Sequence, residues 1–294
     1  MASPLTTPLE PGAASAVATP AHTPARGQQW IHSTALRRIE AAAASTCGSQ
    51  HASNEDAHSP LTGSGSLFVV ADGVGGGALA QMASRQLVAQ LHAALDGRPV
   101  DADAIRNAMR EADRNVARRI ARVTDSPGAA TVVLCAPVNA LASKWLIAWV
   151  GDCRAYRFTK GSESRIDLLT RDDTFSHLNE TPPRGGSPDD PARMVGNGAI
   201  ADANVSTQSL SNGDMLLLCS DGVHKFVGAD EMRRLLDRSE PLAQCCEELI
   251  ALARAQGSTD DATVLLLRRA VCALPRPRWF TRWFSREPTR RAPR

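Results

Sequence analysis

Short apolar runs recur along this chain, and several of them stop abruptly at an acid or a glycine. Residues 67–71, 131–136, 145–150, 215–218 and 262–267 have the length and the β-branched or aliphatic content of buried strands. Residues 154–158 read as a further strand, with Gly151 and Asp152 at the tight turn that joins it to 145–150. Asp72 is expected at the end of the 67–71 strand, where Gly73 and the glycines after it allow tight turns and remove side-chain bulk. A different period follows. Leu79, Met82, Leu87, Leu91 and Leu95 place one apolar stripe on a helix over 78–95, closed by Asp96-Gly97. Asp101 caps a second helix that turns Ile105, Met109, Ala112, Val116 and Ile120 inward. Its other face carries arginines at 106, 110, 114, 118, 119 and 122, a solvated face. Residues 231–236 and 241–255 read as helices, and the Pro- and Gly-rich stretch 170–205 as loop. Arg38-Ile-Glu followed by four alanines is helical by propensity.

Acidic residues cluster at the ends of these runs: Asn54-Glu55-Asp56, Asp72-Gly73, Gly151-Asp152, Asp221-Gly222 and Asp260-Asp261. Each alone is a polar turn. If several converge, like charges raise one another's pKa, and hard divalent cations relieve that crowding. Mg2+ and Mn2+ take oxygen ligands in octahedral geometry, and a pair of such ions suits phosphate-ester chemistry.

Asn54-Glu55-Asp56-Ala57, Val70-Ala71-Asp72-Gly73-Val74-Gly75-Gly76, Gly128-Ala129-Ala130-Thr131, Val150-Gly151-Asp152-Cys153-Arg154-Ala155-Tyr156, Leu218-Cys219-Ser220-Asp221-Gly222 and Asp260-Asp261-Ala262-Thr263 resemble, in that order, the motifs of the metal-dependent protein phosphatases, the PPM or type-2C family of serine/threonine phosphatases. The likeness covers roughly residues 35–270. It implies an α+β fold, a four-layer αββα sandwich of two mainly antiparallel sheets, and a strand rather than a helix before the first motif. It also implies a bacterial-type phosphatase with two Mn2+ or Mg2+ ions, and a third more weakly held. On that resemblance Asp72 bridges both ions, and Asp221 and Asp260 join it around one. The Gly73 carbonyl serves the second, and Asp152 helps hold the third. Glu55 and Asp56 face the ions and orient the attacking water. The family's phosphate-binding Arg is replaced by His51, which donates one good hydrogen bond and only a pH-dependent charge. The His that animal relatives carry two residues after the first Asp is Val74 here. In bacterial relatives the flap corresponding to 170–205 borders the active-site groove, which brings Arg184 and Arg193 into consideration for a phosphopeptide. The expected partners are phosphorylated proteins and a cognate serine/threonine kinase pathway, with no nucleic acid.

Two other readings compete. One is a phosphoprotein-binding regulator of the same fold with weak catalysis, favoured by His51. The other is a nucleotide-cradling loop at 73–77, which lacks the P-loop Lys and the G-x-G-x-x-G spacing.

Composition bounds the rest. The 294 residues, 43% hydrophobic, can build a sizeable core. The net charge of +2 is uneven: residues 275–294 hold seven Arg and one Glu, leaving a mildly acidic body. Seven scattered cysteines with no C-x-x-C speak against a disulfide framework or a structural zinc and for a reducing, cytoplasmic setting. Residues 1–30, rich in Pro, Ala, Ser and Thr, read as a disordered tail, residues 31–272 as the phosphatase domain, and residues 273–294 as a basic aromatic tail. Within that tail Trp279, Phe280, Trp283 and Phe284 recur at a spacing of four. They suit a partner protein, an anionic membrane surface at the inner face, or packing onto the domain itself.

Overall fold

The computed structural model describes residues 25–34, 37–124, 128–198, 200, 202–238 and 240–270. Of the expected tail 1–30, residues 1–24 lie outside the described residues, as does all of the expected tail 273–294 with its aromatic stripe. The boundary expected at residue 30 does not hold, because the first strand, β1 (Gln28–Ser33), already pairs with β2 (Arg38–Thr46) from Gln28 onward.

Two antiparallel sheets form the centre. One contains β1, β2, β7 (Arg154–Thr159), β8 (Arg165–Leu168), β10 (Met215–Cys219) and β11 (Ala262–Ala270), in the order β1-β2-β11-β10-β7-β8. The other runs β3-β4-β5-β6-β9, from β3 (Ala57–His58), β4 (Phe68–Val74), β5 (Ala129–Pro137), β6 (Lys144–Val150) and β9 (Asn204–Ser209). Period-two alternation sends each strand's side chains to two different layers. Phe68 and Val70 of β4 meet Leu216, Leu218, Leu265 and Leu267 in the seam between the sheets. Val69 and Ala71 point the other way, onto α1 (Gly77–Leu95) and α2 (Ala102–Ile120). The outer face of the six-stranded sheet is covered by α5 (Ala229–Asp237) and α6 (Leu242–Ala255). The result is the αββα sandwich.

β2 shows why local propensity fails. Ala41 and Ala43 are buried in the seam and Ala42 and Ala44 beneath the α5–α6 layer, so both faces of the segment are core. Helix preference amounts to less than about 1 kcal/mol per residue and is overridden by a strand buried on both sides. The capping expectation for α2 holds: the Asp101 side chain accepts from the Ala104 N–H at 2.7 Å.

Two expectations are corrected. β4 does not stop before Asp72, since β5 continues beside it and pairs Asp72 with Thr131 and Gly73 with Ala130. And β6 and β7 are not a hairpin. They lie in different sheets, so Gly151 and Asp152 form the crossing between the two layers. Gly151 takes φ 96° there, and a Cβ on it would meet the Thr131 side chain at 2.5 Å. The 170–205 stretch is largely irregular, apart from the single helical turn α3 (Phe175–Leu178), and is pinned to α2 by Asp113, which accepts from the Gly196 N–H at 2.7 Å.

Candidate active site

The acids of the five motifs come together where the two sheets face each other at one edge. Glu55 and Asp56 lie just before β3 and are buried. Asp72 enters from β4, and Asp152 from the β6–β7 crossing. Asp221 opens α4 (Asp221–His224) straight after β10, and Asp260 precedes β11. Two glycines permit this convergence by close approach rather than by unusual dihedrals. A Cβ on Gly73 would sit 2.3 Å from the Ala80 carbonyl oxygen, and one on Gly222 only 1.9 Å from that of Asp261.

Asp72 and Asp221 face each other closely enough for each to shift the other's titration. Burial, then the charges of Asp221 and Asp56, push Asp72 well above the usual carboxylate range. Burial raises Asp56 to about 8, against hydrogen bonds from Thr263 and Ser220 and with the help of nearby acids. Burial and then Asp221 raise Asp152 to about 7. Burial and then Asp221 also lift Asp260, whose side chain is the most open of the group. Asp221 behaves oppositely: burial would raise it, but the Lys225 ammonium brings it below its ordinary value.

Asp56 Oδ1, Asp152 Oδ2 and Asp221 Oδ1 are buried carboxylate oxygens with no hydrogen-bond partner among the described residues. Buried oxygens of this kind are costly unless something positive meets them. Among the described residues no three His, Cys, Asp or Glu side chains close on one point as a ready-made ion cage. Lys225 instead links two of them, Asp221 and Asp152. The donor set nonetheless suits hard divalent cations: it is all oxygen, it is crowded with like charge, and Asp56 Oδ1 and Asp221 Oδ1 are free to ligate, while Asp152 Oδ2 faces the Lys225 ammonium at 3.5 Å.

The remaining expectations divide. Glu55 does join the cluster, but its Oε1 accepts from the Gly77 N–H at 2.5 Å and so also caps the start of α1. His51 sits at the edge of the site with Nδ1 3.1 Å from Asp261 Oδ2 and 3.7 Å from Asp260 Oδ1. One ring nitrogen is thus engaged with the acids, and only the other is left for a phosphate. Arg193 pairs with Glu180 inside its own loop at 2.5 Å, and Arg184 is exposed.

Sequence reasoning missed several contributors. Asp261 was grouped with Asp260, yet its oxygens are already taken: Oδ1 by the Gly48 N–H at 2.6 Å, Oδ2 by the Glu55 N–H at 2.6 Å and by His51. Arg154 grips the buried Asp172 through Nε and Nη2, at 2.9 and 2.7 Å, beneath Asp152. Arg254 donates to the backbone carbonyls of Asp260 and Ser258, holding the turn that presents Asp260. Lys225 had one legible signal, its position four residues after Asp221 on a helical turn.

The chain resembles proteins already described. The model of the protein phosphatase 2C family matches residues 45–261. The serine/threonine protein phosphatase PstP of Mycobacterium tuberculosis is 28% identical over 237 residues, 76% of this chain but 44% of that protein, so this chain spans less than half of the relative's length. The serine/threonine phosphatase Stp of Listeria monocytogenes is 27% identical over 222 residues, 69% of this chain and 84% of its own. The crystal structure of the PstP catalytic domain in complex with two manganese ions superposes with a TM-score of 0.67 at 24% identity, covering 80% of this chain and 99% of that one. With a family match that runs from the end of β2 to the start of β11 and a fold to go with it, this chain belongs to the protein phosphatase 2C family.

Proposed function

We propose that the protein hydrolyses phosphoserine and phosphothreonine monoesters on proteins with the help of two Mn2+ or Mg2+ ions. The observation that carries this reading is the pair of unpartnered, buried carboxylate oxygens on Asp56 and Asp221 beside Asp72, whose carboxyl is held well above the usual range by burial and then by Asp221 and Asp56. The two manganese ions in the PstP catalytic domain support the choice of metal. Asp72, Asp221, Asp260 and the Gly73 carbonyl would hold the ions.

Bound divalent ions supply Lewis acidity: they lower the pKa of water and neutralise charge on phosphoryl oxygens. The chain's own groups do the positioning. Ser220 Oγ donates to Asp56 Oδ2 at 2.7 Å, fixing that carboxylate so that Oδ1 can accept a proton from a water aimed at phosphorus. The Asp261 carboxylate holds the Glu55 backbone, and Glu55 in turn holds the first N–H of α1, so the first and second motifs keep one geometry. Water attacks phosphorus in line with the seryl or threonyl oxygen. The new P–O bond forms as the ester P–O bond breaks, and the departing alkoxide takes a proton from solvent. His51 contributes at most one hydrogen bond to the phosphate.

The second reading, a phosphoprotein-binding regulator with little turnover, is favoured by the engagement of His51 with Asp261 and Asp260. Turnover of p-nitrophenyl phosphate with Mn2+ separates the two. The catalytic reading expects Mn2+-dependent hydrolysis that Asp72→Asn lowers by about a hundredfold or more, since ion-mediated charge stabilisation contributes several kcal/mol. Absence of any Mn2+-dependent turnover sensitive to that substitution leaves the regulator.

We further place the protein in a kinase-opposed phosphorylation pathway in a reducing, cytoplasmic compartment. The six cysteines among the described residues are all free, which supports the compartment. No helix among the described residues is long and apolar enough to cross a membrane. Contact of the basic aromatic C-terminal tail with a partner or the inner membrane face stays part of this proposal.

A further inference from the structure

Lys225 follows the single turn of α4, and its Nζ donates to Asp221 Oδ2 at 2.6 Å. The same Nζ lies 3.5 Å from Asp152 Oδ2. Those two acids come from different parts of the fold, Asp221 from the end of β10 and Asp152 from the crossing between the sheets, so one ammonium spans both. Asp152 is 2% exposed, and Asp221 is the acid whose charge acts on it most strongly. A cation shared by Asp152 and Asp221 would sit where Nζ already is. The oxygen of Asp221 that Lys225 leaves alone, Oδ1, is the one without a partner. The residue type also fits. The chain uses 30 arginines and only three lysines. An ammonium is a compact point charge that can imitate an ion, whereas a planar guanidinium cannot.

We infer that the Lys225 ammonium is a built-in cation that takes the place of a third divalent ion between Asp152 and Asp221, so that this protein works with two ions and Asp152 is a partner of Lys225 rather than an ion ligand. The inference rests on the two-ion reading of Asp72, Asp221 and Asp260 given above. A divalent ion must approach an oxygen to about 2.0–2.2 Å. An ion doing so on the facing oxygens of Asp152 and Asp221 would be forced against Nζ, like charge against like charge, in competition for the same oxygens. The Lys225 stem keeps the cation tethered, so that positive charge is present whatever the free metal concentration.

The test is the number of Mn2+ ions bound per chain at saturation, by equilibrium dialysis with elemental analysis, on the full-length protein, with thermal unfolding recorded for every variant. The expected counts are two for the unaltered protein and two for Asp152→Asn. Removing the tethered charge should admit one more: three for Lys225→Asp, and three for Lys225→Met, which keeps most of the stem should the aspartate variant fail to fold. A third ion in the unaltered protein that Asp152→Asn removes would overturn the inference and leave the two-ion reading standing. So would a folded Lys225→Asp or Lys225→Met that still binds two. Failure of the unaltered protein to bind any Mn2+ would overturn both.

Discussion

The Ser220 hydroxyl donates to Asp56 Oδ2 at 2.7 Å, joining two motifs 164 positions apart in the chain. Ser220 Oγ in turn accepts the Thr263 N–H at 3.0 Å, so a single buried hydroxyl ties the loop before β3 to the end of β10 and the start of β11. Removing it in Ser220→Ala strands a buried carboxylate oxygen and a buried N–H. Each costs about 1–3 kcal/mol, so a loss of about 2–6 kcal/mol in a denaturant titration is expected, with turnover falling by about tenfold or more. An unchanged midpoint would mean that the hydroxyl does not hold these groups.

Gly222 has no room for a methyl group. With a Cβ 1.9 Å from the Asp261 carbonyl oxygen, Gly222→Ala must push the start of α4 away from β11. Overpacking of backbone against backbone costs about 3 kcal/mol or more. The midpoint of thermal unfolding should drop, and Mn2+ affinity, read by calorimetric titration, should weaken because Asp221 moves with the turn. Gly228→Ala is the control, since a Cβ there meets only the end of the Glu231 side chain at 3.6 Å.

Asp261 acts through hydrogen bonds that only a carboxylate can supply in full. Its two oxygens serve the Gly48 and Glu55 N–H groups at 2.6 Å each. In Asp261→Asn the amide has one acceptor, and its NH2 must face a second donor. The expected cost is about 2–3 kcal/mol in chemical unfolding. Because Glu55 loses its anchor, kcat should fall more than KM rises. A variant matching the parent in stability and rate would place Asp261 outside this role.

Stability in the presence of a chelator should fall as pH rises. Asp56 at about 8 and Asp152 at about 7 both stand above the ordinary value of 3.8, so the folded chain binds more protons than the unfolded one between about pH 4 and 8. The stabilisation from these protons is complete at the acid end and is lost as pH climbs through 7 to 8. Divalent ions replace the protons. The rise in unfolding temperature on adding Mn2+ should therefore be larger at about pH 8.5 than at about pH 6 in differential scanning calorimetry. An increment independent of pH would contradict the raised values.

Some features were legible because they are local. A run such as Phe68-Val69-Val70-Ala71 declares a strand through its own bulk, and Leu87, Leu91 and Leu95 declare one helical face. The order of the acidic motifs was readable in the same way, and the resemblance they carried set the fold. Where a local signal competed with a distant one, it lost: the four alanines of β2 favour a helix until two separate layers bury them from both sides.

The sequence by itself determined the strands and helices, the acids at their ends and the family to which those motifs point, since periodicity and motif spacing are written along the chain. Only the tertiary structure decided that β6 and β7 part into different sheets, that Asp261 is spent on backbone N–H groups, that His51 is held by the acids it was expected to flank, and that Lys225 reaches both Asp221 and Asp152. The physical reason is range. Alternation and propensity act over a few residues, whereas contacts such as His224 with the Asp152 carbonyl and Asp261 with the Gly48 N–H join groups 72 and 213 positions apart, whose partners exist only once the layers have closed.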